Sequence, residues 1–296
     1  MSSAQKKTKF KIREAREIVR DLMSPNPFIY WVDFLFHITL GWGFFFFCFQ
    51  SELFSLKQWV FFFISTFAFF RAAIFIHELT HLRKGTFALF RIFWNLFCGF
   101  PLMLPSFLYQ GVHNDHHNIS RYGTKDDGEY FPFVHKGRMK IILFALTSFF
   151  LPAILFIRFV FITPLSYCSK KLRFLVLQRG SSLSIDLSYK RAYSSLNLVF
   201  MWQTQEVITC LYGWVLLLLI VMKILPFMIF GFWLSILGAV FFVNSLRTLA
   251  AHCYRYPGNR ILDISEQLLD STNIPESFLG VLWAPVGLRY HATHHL

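Results

Sequence analysis

Residues 59–81 read WVFFFISTFAFFRAAIFIHELTH: eighteen residues with Arg71 as their one charge run straight into a histidine pair four apart, His77 and His81. At a rise of about 1.5 Å per residue the apolar part is about 27 Å long, close to the hydrocarbon thickness of a bilayer. The run before it, residues 28–49, would measure about 33 Å on the same rise. The link between them, residues 50–58, carries only Glu52 and Lys57 as charges, so the two runs read as a helical hairpin. Its outer flanks are basic: Lys6, Lys7, Lys9, Lys11, Arg13, Arg16 and Arg20 before it, Arg83, Lys84 and Arg91 after it. Basic flanks stay on the cytoplasmic side of a membrane, which predicts that both ends of the hairpin, with His77 and His81, lie there.

Composition extends this reading to the whole chain. Of 296 residues, 55% are apolar, 39 are Phe and only 15% are charged, against about 25% charged in a soluble domain. Disorder needs the opposite balance. The net charge of +13 is a topology signal in such a chain before it is a nucleic-acid signal, so no nucleic-acid partner is expected. The five cysteines are scattered with no CxxC pair, which argues against a disulfide framework or a thiolate metal site.

Residues 1–27 read as a basic cytoplasmic arm, with a short surface helix over 13–23 broken by Ser24-Pro25-Asn26-Pro27. Residues 87–97 read as a helix lying in the interface. Residues 139–164 are apolar, but the following loop holds Lys170, Lys171, Arg173, Arg179, Lys190 and Arg191. A single crossing would place that loop outside, so a re-entrant or in-plane pair hinged at Pro152 is expected. Residues 207–246 are interrupted by Lys223 and Pro226 and read as two spans, 207–225 and 227–246, leaving the membrane at Arg247, Arg255 and Arg260. The predicted fold is an all-α integral membrane domain over 28–296, with four spans in two hairpins, a histidine-rich cytoplasmic cap and both termini cytoplasmic.

Three histidine clusters follow these elements: His77 and His81; His113, His116 and His117; His291, His294 and His295. His252 stands alone just past the fourth span. On a helix, positions i, i+3 and i+4 share a face, so each cluster aims two or three imidazoles at one point. Neutral imidazole is the commonest metal ligand. Nine ligands exceed the needs of one ion; two ions with four or five nitrogens each would use them all. The first cluster also fits HExxH, a zinc protease signature, but that reading leaves most of the histidines idle.

The three clusters resemble the three histidine boxes of the membrane fatty acid desaturase family, a superfamily that also contains hydroxylases and other oxygenases. The stretch Asn244-Ser245-Leu246-Arg247-Thr248-Leu249-Ala250-Ala251-His252 resembles the family segment that supplies one further histidine ligand. Trp283-Ala284-Pro285-Val286-Gly287-Leu288-Arg289-Tyr290 is similar to the family's approach to the third box. The resemblance covers about residues 28–296 and implies a cytoplasmic di-iron centre that uses O2 on a fatty-acyl chain carried by acyl-CoA, acyl carrier protein or phospholipid. Iron is the redox-capable choice where zinc is not. The electrons imply an external donor such as a ferredoxin or a b-type cytochrome. Acyl desaturation is the expected reaction, and hydroxylation on the same scaffold the alternative. Relatives usually continue past the third box, whereas this sequence stops one residue after His295, so an inactive, truncated remnant is a third expectation.

Further polar residues are candidates for orienting the ligands or the metals. Some relatives place an Asn four residues before the lone histidine; Thr248 stands there, and Asn244 lies eight residues before it. Asp115, inside the second box, Glu78, inside the first, and Glu206, at the start of the third span, are further candidates. Asp33 and His37 are expected to pair, Arg71 to reach for the interface, and Asp126-Asp127-Gly128-Glu129 to form a polar turn. His135 is unassigned.

Overall fold

The computed structural model describes residues 12–20, 24–83, 85–192, 196–258, 260–275 and 279–296. Lys6, Lys7, Lys9 and Lys11 of the basic arm, and Lys84, lie outside them. The described residues form helices joined by loops, with two isolated β-bridges, His252 to Ser271 and Asn273 to Tyr290.

After a short helix α1 (Ile12–Ile18), α2 (Pro27–Gln50) starts where Asn26 caps it. The Asn26 side-chain oxygen accepts the Phe28 N–H at 3.0 Å, and Pro27 takes a first-turn position where an N–H is dispensable. The Ser55 hydroxyl caps α3 (Leu56–His81) by accepting the Gln58 N–H at 3.1 Å. Buried Gln58 closes the hairpin turn, donating to the Cys48 carbonyl at 3.2 Å and accepting the Phe54 N–H at 2.8 Å. The two helices touch closely at Gly41, where a Cβ would stand 2.6 Å from the Phe69 ring and whose carbonyl accepts the Ser65 hydroxyl at 2.9 Å. Small residues permit this approach in apolar helix pairs. Arg71 holds Asp33 through two bonds of 2.7 and 2.8 Å and also reaches the Val281 carbonyl at 3.3 Å, and His37 meets the Asp33 carboxylate at 2.7 Å.

Helix α4 (Ala88–Trp94) runs on into a π-helical turn, Asn95–Gly99, over the stretch expected to lie in the interface. Helix α5 (Phe107–His116) carries the second histidine cluster. Helices α6 (Phe133–Lys136), α7 (Arg138–Ser148), α8 (Leu151–Ile157) and α9 (Thr163–Tyr167), the last two joined by a π-helical turn at Arg158–Ile162, form the second apolar region. Helix α7 meets the segment Leu151–Tyr167 at 56°. The bend falls at Phe149 and Phe150 rather than at Pro152, which sits in the first turn of α8 where proline is tolerated. Helix α10 (Lys170–Arg179) leads to α11 (Leu196–Val221) and α12 (Met228–Ala251), followed by α13 (Ile264–Asp270), α14 (Gly280–Trp283) and α15 (His291–His294).

Four helices are long and apolar enough to cross a bilayer: Pro27–Gln50, Leu56–His81, Phe200–Val221 and Met228–Ala251. The third begins earlier than residue 207, because neighbours satisfy the polar residues of its first turns. Gln205 accepts the Phe107 N–H at 3.0 Å, and Glu206 pairs with Arg158 at 2.5 Å and Arg173 at 2.6 Å.

The bent pair leaves the histidine end and returns to it. Phe133 packs on Tyr254, two residues past His252, with ring centroids 5.1 Å apart. At the bend, Phe149 presses on Gly238, where a Cβ would lie 2.8 Å from the Phe149 carbonyl oxygen; that is about 21 Å along α12 from His252. Past the bend the Trp214 N–H bonds the Val160 carbonyl at 3.0 Å, and the Tyr189 hydroxyl reaches Asp115 at 2.6 Å. Both ends of the pair therefore lie on the histidine side of the bundle.

Candidate metal centre

Four elements deliver the nine histidines to one place: the end of α3, the end of α5, the residue after α12, and α15. A strap over 271–274 fixes the last two together. Cys253 N–H bonds the Asp270 carbonyl at 2.6 Å, Thr272 N–H bonds the Ala251 carbonyl at 2.9 Å, and Ala292 N–H bonds the Thr272 carbonyl at 3.1 Å.

The rings sort into two quartets, each with ligand nitrogens within 4.8 Å of one another: His77, His81, His113 and His294; and His116, His252, His291 and His295. His117 stands between them, its ring 4.5 Å from those of His113 and His295 and 4.8 Å from those of His81 and His294. Nε2 atoms converge at 2.7 Å (His81 to His113), 2.9 Å (His252 to His291) and 3.2 Å (His116 to His252, His291 to His295). Imidazoles at right angles on one ion, with bonds of about 2.1 Å, would stand about 3 Å apart.

Burial and the neighbouring rings hold His113, His117, His252, His291 and His295 well below the ordinary imidazole range, and bring His294 down to about 3. Those rings are neutral, the form that binds metal. At His116 burial also opposes the cation, but the buried Asp127 carboxylate outweighs it and raises the pKa. The Nε2 atoms of His77, His117 and His294 are buried with no hydrogen-bond partner. Converging, unpartnered nitrogen lone pairs fit a metal pair.

Carboxylates hold the outward ring nitrogens. His77 Nδ1 meets Glu78 at 3.1 Å, His113 Nδ1 meets Glu129 at 2.9 Å, and His116 Nδ1 meets both Asp127 oxygens at 3.0 Å. These contacts fix tautomer and orientation, turning Nε2 inward. Tyr30 bonds Glu78, and Tyr109 bonds Glu129 at 2.8 Å. Burial lifts the Glu129 carboxyl to about 7. His252 Nδ1 lies 3.0 Å from the Tyr122 hydroxyl and 3.3 Å from Ser271.

The expected polar turn at 126–129 is therefore also the source of two carboxylates that orient imidazoles, Asp127 and Glu129. A pair of acids eleven and sixteen residues past histidines of the second box was the available signal. Asp115 turns the other way, to Arg121 at 2.5 Å and Tyr189 at 2.6 Å. Glu206 meets no histidine and is held by Arg158 and Arg173. Asn244 and Thr248 line a cavity and bond Arg247. His135 reaches the Arg255 carbonyl at 2.7 Å, away from the cluster.

That cavity, about 330 Å³, runs from His77, Tyr109 and Glu129 into the apolar bundle between α3, α7, α8 and α12. Its inner wall includes Phe70, Ile74, Phe144, Leu155 and Phe241. A long alkyl chain fits such a lining, with one end of the cavity at the first quartet.

Comparison with known proteins agrees with this geometry. Over 285 residues the chain is 35% identical to a ceramide hydroxylase of Caulobacter vibrioides (strain NA1000 / CB15N), covering 96% of this chain and 80% of that protein. No solved structure matches the chain. The family model described as fatty acid desaturase matches residues 53–296, and with the histidine geometry and the four apolar helices this shows that the chain belongs to the fatty acid desaturase family.

Proposed function

We propose that this protein is a di-iron membrane enzyme that oxidises a methylene of a long-chain lipid with O2, and that its reaction is hydroxylation of an amide-linked, ceramide-type lipid. The observation that carries this reading is the cluster of nine imidazoles at the end of an apolar cavity. Hydroxylation rather than acyl desaturation is supported by the similarity, over nearly the whole chain, to a protein named for ceramide hydroxylation. The family's description supports desaturation as the second reading.

His77, His81, His113 and His294 would hold one iron and His116, His252, His291 and His295 the other, with His117 placed to serve either. Bound iron supplies O2 reduction and attack on an unactivated C–H bond. The protein's residues do the rest. Glu78, Glu129 and Asp127 hold the Nδ1 protons of His77, His113 and His116, keeping each Nε2 lone pair inward. The cavity wall positions one methylene and excludes water, which sets the site of reaction. In the net reaction one oxygen atom enters the C–H bond and the other leaves as water, with two electrons and two protons supplied from outside. The donor is a separate protein, a ferredoxin or a b-type cytochrome, approaching a cytoplasmic histidine face.

The test is lipid profiling after expression in a host that makes ceramides but lacks such an enzyme, with metal analysis of the purified protein. Hydroxylated ceramides and about two irons per chain support the reading. New unsaturated chains favour desaturation. One zinc and no oxidised lipid would overturn both in favour of a protease.

A further inference from the structure

Arg247 lies on α12 five residues before His252, about 7.5 Å along the axis. It is 8% exposed and lines the cavity beside His77. Among the described residues its guanidinium bonds only neighbours on its own helix, Asn244 Oδ1 at 3.2 Å and Thr248 Oγ1 at 2.9 Å. Among the described residues no carboxylate lies within ion-pair distance of it. Glu129, which also lines the cavity, already has its oxygens engaged by Tyr109 and His113. A buried cation is costly unless something pairs with it. The other buried arginine on the cavity wall, Arg158, shows the satisfied arrangement: it holds Glu206, the Gly180 carbonyl, Thr163 and Ser181. A second observation points into the same space. The Ser182 hydroxyl, on the loop after α10, lines the cavity and is buried with no partner.

We infer that Arg247, framed by Asn244 and Thr248 and assisted by Ser182, receives a hydrogen-bond-accepting oxygen at the polar end of the lipid, and thereby fixes the oxidised carbon at a set number of bonds from that oxygen. The guanidinium supplies several donors in a rigid fork, and an oxygen docked there completes its pairing. With the oxygen about one and a half helical turns from His252, the carbon presented to the histidines is near the polar end, and the remaining chain fills the apolar arm. The register is then counted from the head and not from the methyl end. An amide carbonyl of a ceramide and a carboxylate of a fatty acid share the required chemistry. This inference rests on the lipid-oxidation reading for the identity of the site, but its binding test does not need turnover.

Binding is measured on the full-length, iron-loaded protein in detergent micelles without an electron donor, using radiolabelled N-palmitoyl-sphinganine, palmitate and hexadecane as probes. Arg247→Met keeps length and removes the fork. It should weaken whichever oxygenated probe is the ligand by about tenfold or more and leave hexadecane unchanged. Arg247→Lys should recover part of the loss, and Ser182→Ala should cost a few-fold. Loss confined to the ceramide identifies the amide, and loss confined to palmitate the carboxylate. Unchanged binding of both oxygenated probes to an Arg247→Met protein with wild-type iron content overturns the proposal. Should that variant fail to fold, the wild type decides: lengthening the oxidised chain by two carbons should leave the position of the new group, numbered from the head, unchanged. A position that follows the methyl end overturns it. Failure of the catalytic reading looks different: no oxidised lipid of any kind, with head-group binding still dependent on Arg247.

Discussion

The two histidine quartets are alike in number and differ in what stands behind them. The first borders the cavity through His77, and its orienting acids Glu78 and Glu129 are 18% and 14% exposed. In the second, no histidine lines the cavity, and Asp127 behind His116 is fully buried. Its floor is aromatic: Tyr122, Tyr130 and Tyr254 pack around His252, and Asp270 stands 4.0 Å from that ring. Helices α5 and α15 contribute to both quartets, so the two are mechanically one unit. Yet one borders the cavity and the other is sealed away from it. An open and a closed face are thus built from the same residue type.

The comparison breaks most visibly if either quartet tolerates the loss of a ligand. His294→Ala in the first and His116→Ala in the second should each abolish product and lower iron from about two per chain to about one or fewer, with membrane insertion retained. Full turnover in either variant removes that residue from the ligand set. Next in size, Glu206→Gln should destabilise the protein by about 3–5 kcal/mol, because it leaves buried Arg158 and partly buried Arg173 beside a neutral group. Thermal unfolding reads this, and iron content at low temperature should stay near wild type.

Smaller effects sharpen the contrast between sealed and open. Asp127→Asn removes a fully buried carboxylate that also accepts the Gly123 and Glu129 N–H groups. It should cost iron affinity toward the upper end of the 10–100-fold range usual for partners of ligating histidines, and Glu129→Gln toward the lower end. Competition with an iron chelator ranks the two, and a reversed order would sink the distinction. Least affected should be Arg121→Ala. Its half-exposed pair with Asp115 is worth about 1 kcal/mol or less, and product yield should change little because neither side chain bonds a histidine.

The parts legible in the sequence are those set by local periodicity. Apolar runs of helical length marked the four long helices, and i, i+3, i+4 spacing marked faces that aim imidazoles together. What could not be read is set by contacts distant in the chain. Asp127 and Glu129 look like turn residues, and their role exists only because the loop folds back under α5. Glu206 looks like an interfacial acid near histidines, and only tertiary packing shows it turned toward Arg158 and Arg173. Helix α11 starts early because Gln205 and Glu206 find partners that hydropathy cannot register. The elbow lies before Pro152 because proline is comfortable in a first turn, so its presence alone did not locate the break.

The bend between α7 and α8 has a consequence for how this enzyme can change. Its two arms lend Phe144, Ser148, Leu151, Ile154 and Leu155 to the cavity and contribute no histidine. Bulk added at Leu151 or Ile154 would shorten the cavity while leaving the histidine cluster intact. On the proposed reading, the gauge for tail length and the apparatus for chemistry are encoded on separate stretches of polypeptide, and selection can retune the first without disturbing the second.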